Sequence, residues 1–214
     1  MAWLVRCLRL DLDAPLESGR TVSVSTEVVG WRRAWARRVS EVRPIAAGAG
    51  PGQPTTPLAT VMTDWILLGP SGRPIRVPAE ILAGFPSRLP GFEPGRIPSM
   101  EPPAAGRAGA APSHHLSFSV RPQELDPMGH VNHAVYLDWL EEAAAAAGGQ
   151  SILARLPRRY RLEYERVAAP EAAVEAETWV TPAGAWAWTL RGRDGGELAR
   201  GRLERARGGI APSD

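Results

Sequence analysis

The chain has 214 residues and a mass of 23.0 kDa, room for one large domain or two units of about 100 residues each. Its 25 basic residues are all arginine and face 23 acidic ones, so the net charge of +2 is too balanced to argue for a nucleic-acid partner. The longest small-apolar run, Ala143 to Ala147, falls far short of the roughly 18 residues of a membrane-spanning helix, and residues 1–6 lack the features of an export signal, so the cytoplasm is the expected location. The single cysteine, Cys7, excludes an internal disulfide framework and has no Cys or His neighbours at metal-ligand spacing.

Residues 3–13 (WLVRCLRLDLD) and 21–29 (TVSVSTEVV) alternate or run β-branched around the breaker-rich stretch 14–19, and read as two strands. Trp31–Val42 and Leu58–Leu68 continue the pattern on either side of the Gly/Pro-rich loop 46–57, and Gly69-Pro70-Ser71-Gly72 makes a turn. The first part of the chain, 1–84, is therefore expected to be an antiparallel sheet without a helix. From Phe85 to Ser113, Pro, Gly, Ala and Ser dominate, which predicts an extended linker. A strand follows at Leu116–Arg121, then a loop and the one long helix, from about His130 to Ala147, stopped by Gly148 and Gly149. Strands are expected again at Arg158–Arg166, Ala172–Val180, Trp186–Arg191 and Leu198–Arg205, with 114–207 as the second unit and 208–214 as a tail. This order predicts an α+β fold.

Displacing the chain by 152 residues aligns 8–29 with 160–180 without a gap. Arg9 meets Arg161, Leu10 meets Leu162, Asp11 and Asp13 meet Glu163 and Glu165, Val22 meets Val174 and Thr26 meets Thr178. The expectation is two copies of one unit. The second copy opens with the strand at Leu116 and its helix, and the first shows no counterpart. The first repeat is thus expected to lack its opening strand and helix, with a true start roughly 40 residues upstream of Met1 as one explanation. A sheet with a bare apolar face has reason to associate, so a homodimer is an expected state beside a monomer.

Val120–Ala143 (VRPQELDPMGHVNHAVYLDWLEEA) carries the chemistry. On a helical wheel begun at His130, Asn132 and His133 fall on the apolar arc with Val135, Tyr136, Leu137, Trp139 and Leu140, where polar groups need a partner or a task. Asp126 stands ahead of the expected helix, followed by Pro127 and Gly129. It suits a helix cap, and it equally suits a catalytic carboxylate beside backbone N–H groups that would stabilise a developing oxyanion.

The string DPMGHVNHAVYLDW resembles the helix-opening motif of hotdog-fold thioesterases. The wider resemblance is to acyl-ACP thioesterases, which hold two hotdog repeats in one chain. Their first repeat carries a strand like 60–82, TVMTDWILLGPSGRPIRVPAEIL, ending in the arginine, proline and glutamate seen here as Arg73, Pro78 and Glu80. The similarity spans nearly all of 3–205. It implies hydrolysis of fatty acyl thioesters in lipid metabolism, with an acyl carrier protein or coenzyme A thioester as substrate and with no cofactor or metal.

Residue by residue, the resemblance assigns catalysis to Asp126 as base or nucleophile, to His130, to Asn132 of the HVN element, and to His133, whose amide or imidazole addresses the thioester carbonyl. Gly129, Val131 and Tyr136 are expected to bind substrate. The plant-type set is incomplete: Met128 replaces a catalytic asparagine, and Val167 and Ala168 replace Glu-Cys. These departures keep a non-catalytic acyl-binding protein as the alternative. The hydratase branch of hotdog proteins is disfavoured because its Asp and His pattern is not reproduced at 126–133.

Other residues have plainer readings. His114 and His115 form a pair at the linker's end, and Glu141 and Glu142 lie on the polar side of the helix, where solvation is the expectation. Glu163 and Glu165 have counterparts at Asp11 and Asp13 and read as structural. No Gly-x-Ser-x-Gly occurs, against a serine-hydrolase route. Arg32, Arg33, Arg37 and Arg38, with Arg155, Arg158, Arg159 and Arg161, make two basic clusters, either exposed faces or docking sites for an acidic carrier protein.

Overall fold

A computed structural model describes residues 1–45, 56–85, 89, 91–103, 112–170 and 172–205. Parts of the Gly/Pro-rich loop 46–57 and of the expected linker, and all of the expected tail, lie outside the described residues. Two compact units divide the chain, the first holding Met1–Gly95 and Leu156–Arg159, the second Arg96–Arg155 and Tyr160–Arg205.

In the first unit the β-branched and alternating segments pair as expected. Strands β1 (Ala2–Leu12), β2 (Val22–Arg32), β3 (Trp35–Pro44) and β4 (Ala59–Leu68) form an antiparallel sheet in the order β2-β3-β4-β1. Bulges interrupt the register between Val5 and Cys7 and between Val28 and Gly30. The second bulge brings Gly30 under the chain that follows the sheet: a Cβ there would lie 2.7 Å from the Leu89 carbonyl oxygen, so only glycine fits. A short helix, α1 (Ala79–Gly84), follows Pro78. None was expected in this half; Pro78 and the helix formers Ala79, Glu80 and Leu82 make one turn too short to show a period.

The segment expected to be a bare linker is partly built into the structure. Phe92 and Ile97 are buried in spite of the Pro- and Gly-rich composition. Main-chain N–H groups hold it to buried carboxylates: Gly95 N donates to Asp64 Oδ2 at 2.6 Å, and Ile97 N donates to Glu163 Oε2 at 2.8 Å. Composition reports side-chain volume and misses this anchoring through the backbone.

The second unit contains β5 (His114–Ser119), α2 (Val135–Ala146), α3 (Gln150–Leu153), most of β6 (Arg158–Tyr164), β7 (Ala173–Val180), β8 (Trp186–Gly192) and β9 (Glu197–Arg205). Its strands run in the order β6-β9-β8-β7-β5. Helix α2 buries Tyr136, Trp139, Leu140, Ala143 and Ala144, the i, i+3, i+4, i+7, i+8 stripe of an amphipathic helix, against β5 and β7. Gly148, at φ +93°, ends it as expected.

The start of α2 is a correction. The helix begins at Val135, not near His130. Residues 124–132 instead fold back on themselves: Asp126 N donates to the His130 carbonyl at 2.7 Å, Asn132 N to the Glu124 carbonyl at 2.8 Å, and Leu125 bridges Val131. Val131 is buried as the arm of a hairpin, and its spacing to the helix stripe imitates a helical period without helical backbone.

Candidate active site

The hairpin 124–132 is the core of the site, and its tip is the turn Asp126-Pro127-Met128-Gly129. Pro127 pre-sets the first corner, Gly129 N donates to the Asp126 carbonyl at 2.9 Å, and Gly129 sits at φ +76°, where a side chain is disfavoured. The Asp126 carboxylate closes the turn. Its Oδ1 accepts from Met128 N at 2.9 Å and from His130 N at 3.0 Å. Asp126 thus caps this turn rather than the helix, which starts nine residues later. Its Oδ2 takes no hydrogen bond among the described residues, and the side chain is half-buried. A carboxylate held by one oxygen with the other open is oriented to accept a proton or to attack.

His130 is brought against Asp126 by its backbone and is half-buried. Val131 is core, and Tyr136 is core with its hydroxyl accepting from Ala168 N at 3.2 Å. Asn132 is not on an apolar helix face as expected. It is exposed, and its Oδ1 accepts from Ala134 N at 3.1 Å while its carbonyl accepts from Val135 N at 3.0 Å, so it caps α2. His133 is half-buried at the helix start. Its carbonyl accepts from the Tyr164 hydroxyl at 3.0 Å, and its ring meets Tyr164 edge-on, with centroids 6.5 Å apart. Of the amides expected to face an oxyanion along 130–133, those of His130 and Asn132 already donate within the hairpin.

Several neighbours escaped the sequence. Glu124, 4% exposed, lies two residues before Asp126 with its carboxylate on Arg121. Tyr164 packs on Tyr136 edge-on at 5.1 Å, and Tyr136 in turn meets Trp139 at 5.2 Å. Glu141, expected on the polar side, is half-buried and accepts from the Tyr160 hydroxyl. Glu124 is a near neighbour in the chain whose burial no local period marks, while Tyr160 and Tyr164 come from β6, far along the chain.

Residues 109–196 match the family model described as the acyl-ACP thioesterase C-terminal domain, a stretch that includes the hairpin and α2. The chain is also 26% identical over 223 residues to the chloroplastic acyl-(acyl-carrier-protein) hydrolase FATB2 of Cuphea viscosissima, covering 95% of this chain and 48% of that protein. It therefore spans about half the length of the curated relative it matches. The 12:0-ACP thioesterase from Umbellularia californica superposes with a TM-score of 0.71 at 20% identity, covering 95% of this chain and 74% of that one. An acyl-ACP thioesterase from Bacteroides thetaiotaomicron gives 0.69 at 14% identity, with coverages of 94% and 75%. At these identities the likeness is one of fold, the hotdog arrangement of antiparallel sheet and few helices.

Within residues 109–196 the departures from the plant-type set are apolar in character. Met128 and Val167 are exposed, and Ala168 is buried with its amide on Tyr136. The proposed basic clusters are largely engaged. Arg37 grips Asp64 through Nε and Nη2 at 2.7 and 2.9 Å, Arg32 pairs with Glu93, Arg159 with Asp11, and Arg38 lies over the Trp65 ring, whereas Arg33 and Arg155 are exposed. His115 Nδ1 lies 2.7 Å from Glu175 Oε1. Among the described residues no group of three or more His, Cys, Asp and Glu is placed to hold a metal ion, and no helix is long and apolar enough to cross a membrane.

Proposed function

We propose that this protein hydrolyses fatty acyl thioesters, with acyl-ACP as the preferred substrate over acyl-CoA, releasing a free fatty acid. The observation that carries the reading is the Asp126 carboxylate, held through Oδ1 by two backbone amides with Oδ2 unengaged. The match of residues 109–196 to the acyl-ACP thioesterase C-terminal family model supports the reaction class.

In the general-base route, water attacks the acyl carbon and gives its proton to Asp126 Oδ2. The C–S electron pair then leaves on sulfur, and the thiolate takes the proton back from Asp126. In the nucleophilic route, Oδ2 bonds to the acyl carbon as the thiolate leaves, and water opens the resulting anhydride. Turnover in ¹⁸O-labelled water distinguishes them, because only the anhydride route can place label in the Asp126 carboxylate. We assign the thioester carbonyl to His133, a reading supported by its edge-on hold against Tyr164, and a supporting role to His130, whose amide lies on Asp126. Asn132 supports the helix start, and Gly129, Val131 and Tyr136 shape the substrate's seat. No cofactor enters either route.

Asp126→Asn keeps an acceptor at Oδ1 and removes the base, so turnover should fall by at least about 10² with the fold intact. A thiol-release assay on acyl-ACP and acyl-CoA checks it; parental rates in the variant would sink the proposal. The apolar replacements Met128, Val167 and Ala168 favour one second reading, acyl binding without hydrolysis, which predicts retained acyl binding and no thiol release by the parent chain. Stronger salt suppression of turnover on acyl-ACP than on acyl-CoA is the expected mark of an acidic carrier partner.

We further propose that the two units are two hotdog repeats, the first without its long helix. The matching strand orders β1-β4-β3-β2 and β6-β9-β8-β7 support this, as does the alignment at 152 residues.

A further inference from the structure

Glu124 is the most thoroughly engaged side chain beside the site that has no part in the chemistry above. Its carboxylate is 4% exposed, and burying a charge in this way is costly unless every lone pair is served. Here Oε2 accepts from Arg121 N at 2.7 Å, and Oε1 accepts from Arg121 Nε at 2.9 Å and Nη2 at 2.5 Å. Burial pushes the carboxyl up, but the Arg121 bonds and charge outweigh it and hold it below its ordinary value, so it stays ionised.

The main chain of Glu124 is equally committed. Its N–H donates to the Arg121 carbonyl at 3.0 Å, and its carbonyl accepts from Asn132 N at 2.8 Å, closing the base of the hairpin whose tip carries Asp126. Glu124 thereby joins the strand exit at Arg121, through its carboxylate, to both arms of the hairpin, through its main chain.

We infer that Glu124 is a positioning residue: through Arg121 it fixes the base of the hairpin so that Asp126 Oδ2 is aimed at the thioester. This rests on the proposed thioesterase reading. In Glu124→Gln one carboxylate oxygen becomes an NH₂ group that faces the donors of Arg121, and the hairpin base shifts. Displacements of about 1 Å at a reacting centre can cost up to about 10² in rate.

The test is a double-mutant cycle in the full chain, with kcat and KM measured on acyl-ACP for Glu124→Gln, Asp126→Asn and the pair. The expected result is a fall of about ten-fold or more in kcat for Glu124→Gln with KM within about two-fold, and no further loss when it is added to Asp126→Asn. Multiplying losses would mean that Glu124 does not act through Asp126, and parental kcat in Glu124→Gln would overturn the proposal outright. Parental kcat in Asp126→Asn would instead remove the thioesterase assignment of Asp126, a different failure. Arg121→Lys, which keeps a cation beside Glu124 and removes the two-pronged guanidinium grip, runs the same cycle with a smaller expected drop, and covers the case in which Glu124→Gln fails to fold.

Discussion

A single carboxylate gives the 126–129 turn its architecture and, on the proposed reading, its chemistry. Asp126 spends Oδ1 on the amides of Met128 and His130, which orients the plane of the carboxylate and leaves Oδ2 as the edge that the proposed hydrolysis uses. The geometry depends on Gly129 at φ +76°, and the space around it is open, so replacement is penalised by backbone strain alone. Gly129→Ala should lower stability by about 1 kcal/mol, read from urea unfolding, with a fall in turnover as the turn relaxes. The residue types of this turn were legible in the sequence, because Asp-Pro-x-Gly carries its own mechanism. The partition of the two oxygens was not, since it is set by which amides the folded turn presents.

At the scale of elements, periodicity found the apolar stripe of α2 and misplaced its beginning. Val131 is buried by pairing with Leu125, and burial is all that periodicity can count. The true start is prepared by Asn132, whose side chain accepts the Ala134 amide. Asn132→Ala should therefore cost about 1 kcal/mol, and Asn132→Asp should restore it, as thermal melts of the two variants would register. Recovery of turnover in Asn132→Asp would assign capping rather than catalysis to this position. The β8–β9 hairpin offers a pH-dependent case. Asp194 is bonded by Arg166 and by Gly196 N, which lowers its pKa to about 2 from the ordinary 3.8. A depressed carboxylate contributes stability above its unfolded pKa and loses it as pH falls through the folded one. The melting temperature of the parent should thus exceed that of Asp194→Asn at pH 5, and the difference should vanish near pH 2.

Across the whole molecule, two buried acids hold the segment that composition described as a linker. Asp64 in the first unit takes Arg37 and Gly95 N; Glu163 in the second takes Arg96, Arg200 and Ile97 N. Removing one member of such a cluster strands the others in low dielectric. Glu163 is fully buried, while Arg200 keeps Glu165 and Glu197, so Glu163→Gln should cost about 3 kcal/mol, measurable by chemical denaturation. Contacts between near neighbours and local periods mark the strands among the described residues to within a few residues, the apolar face of α2 and the α+β order, whereas the Asp-Pro-Met-Gly turn reads from spacing as a helix cap. Long-range packing sets that 124–132 is a hairpin, that Glu124 and Tyr164 stand behind the site, and that Asp64 and Glu163 bind the connecting segment. Those outcomes depend on which distant donors surround a buried oxygen, and no spacing along the chain encodes the cost of leaving one unpaired.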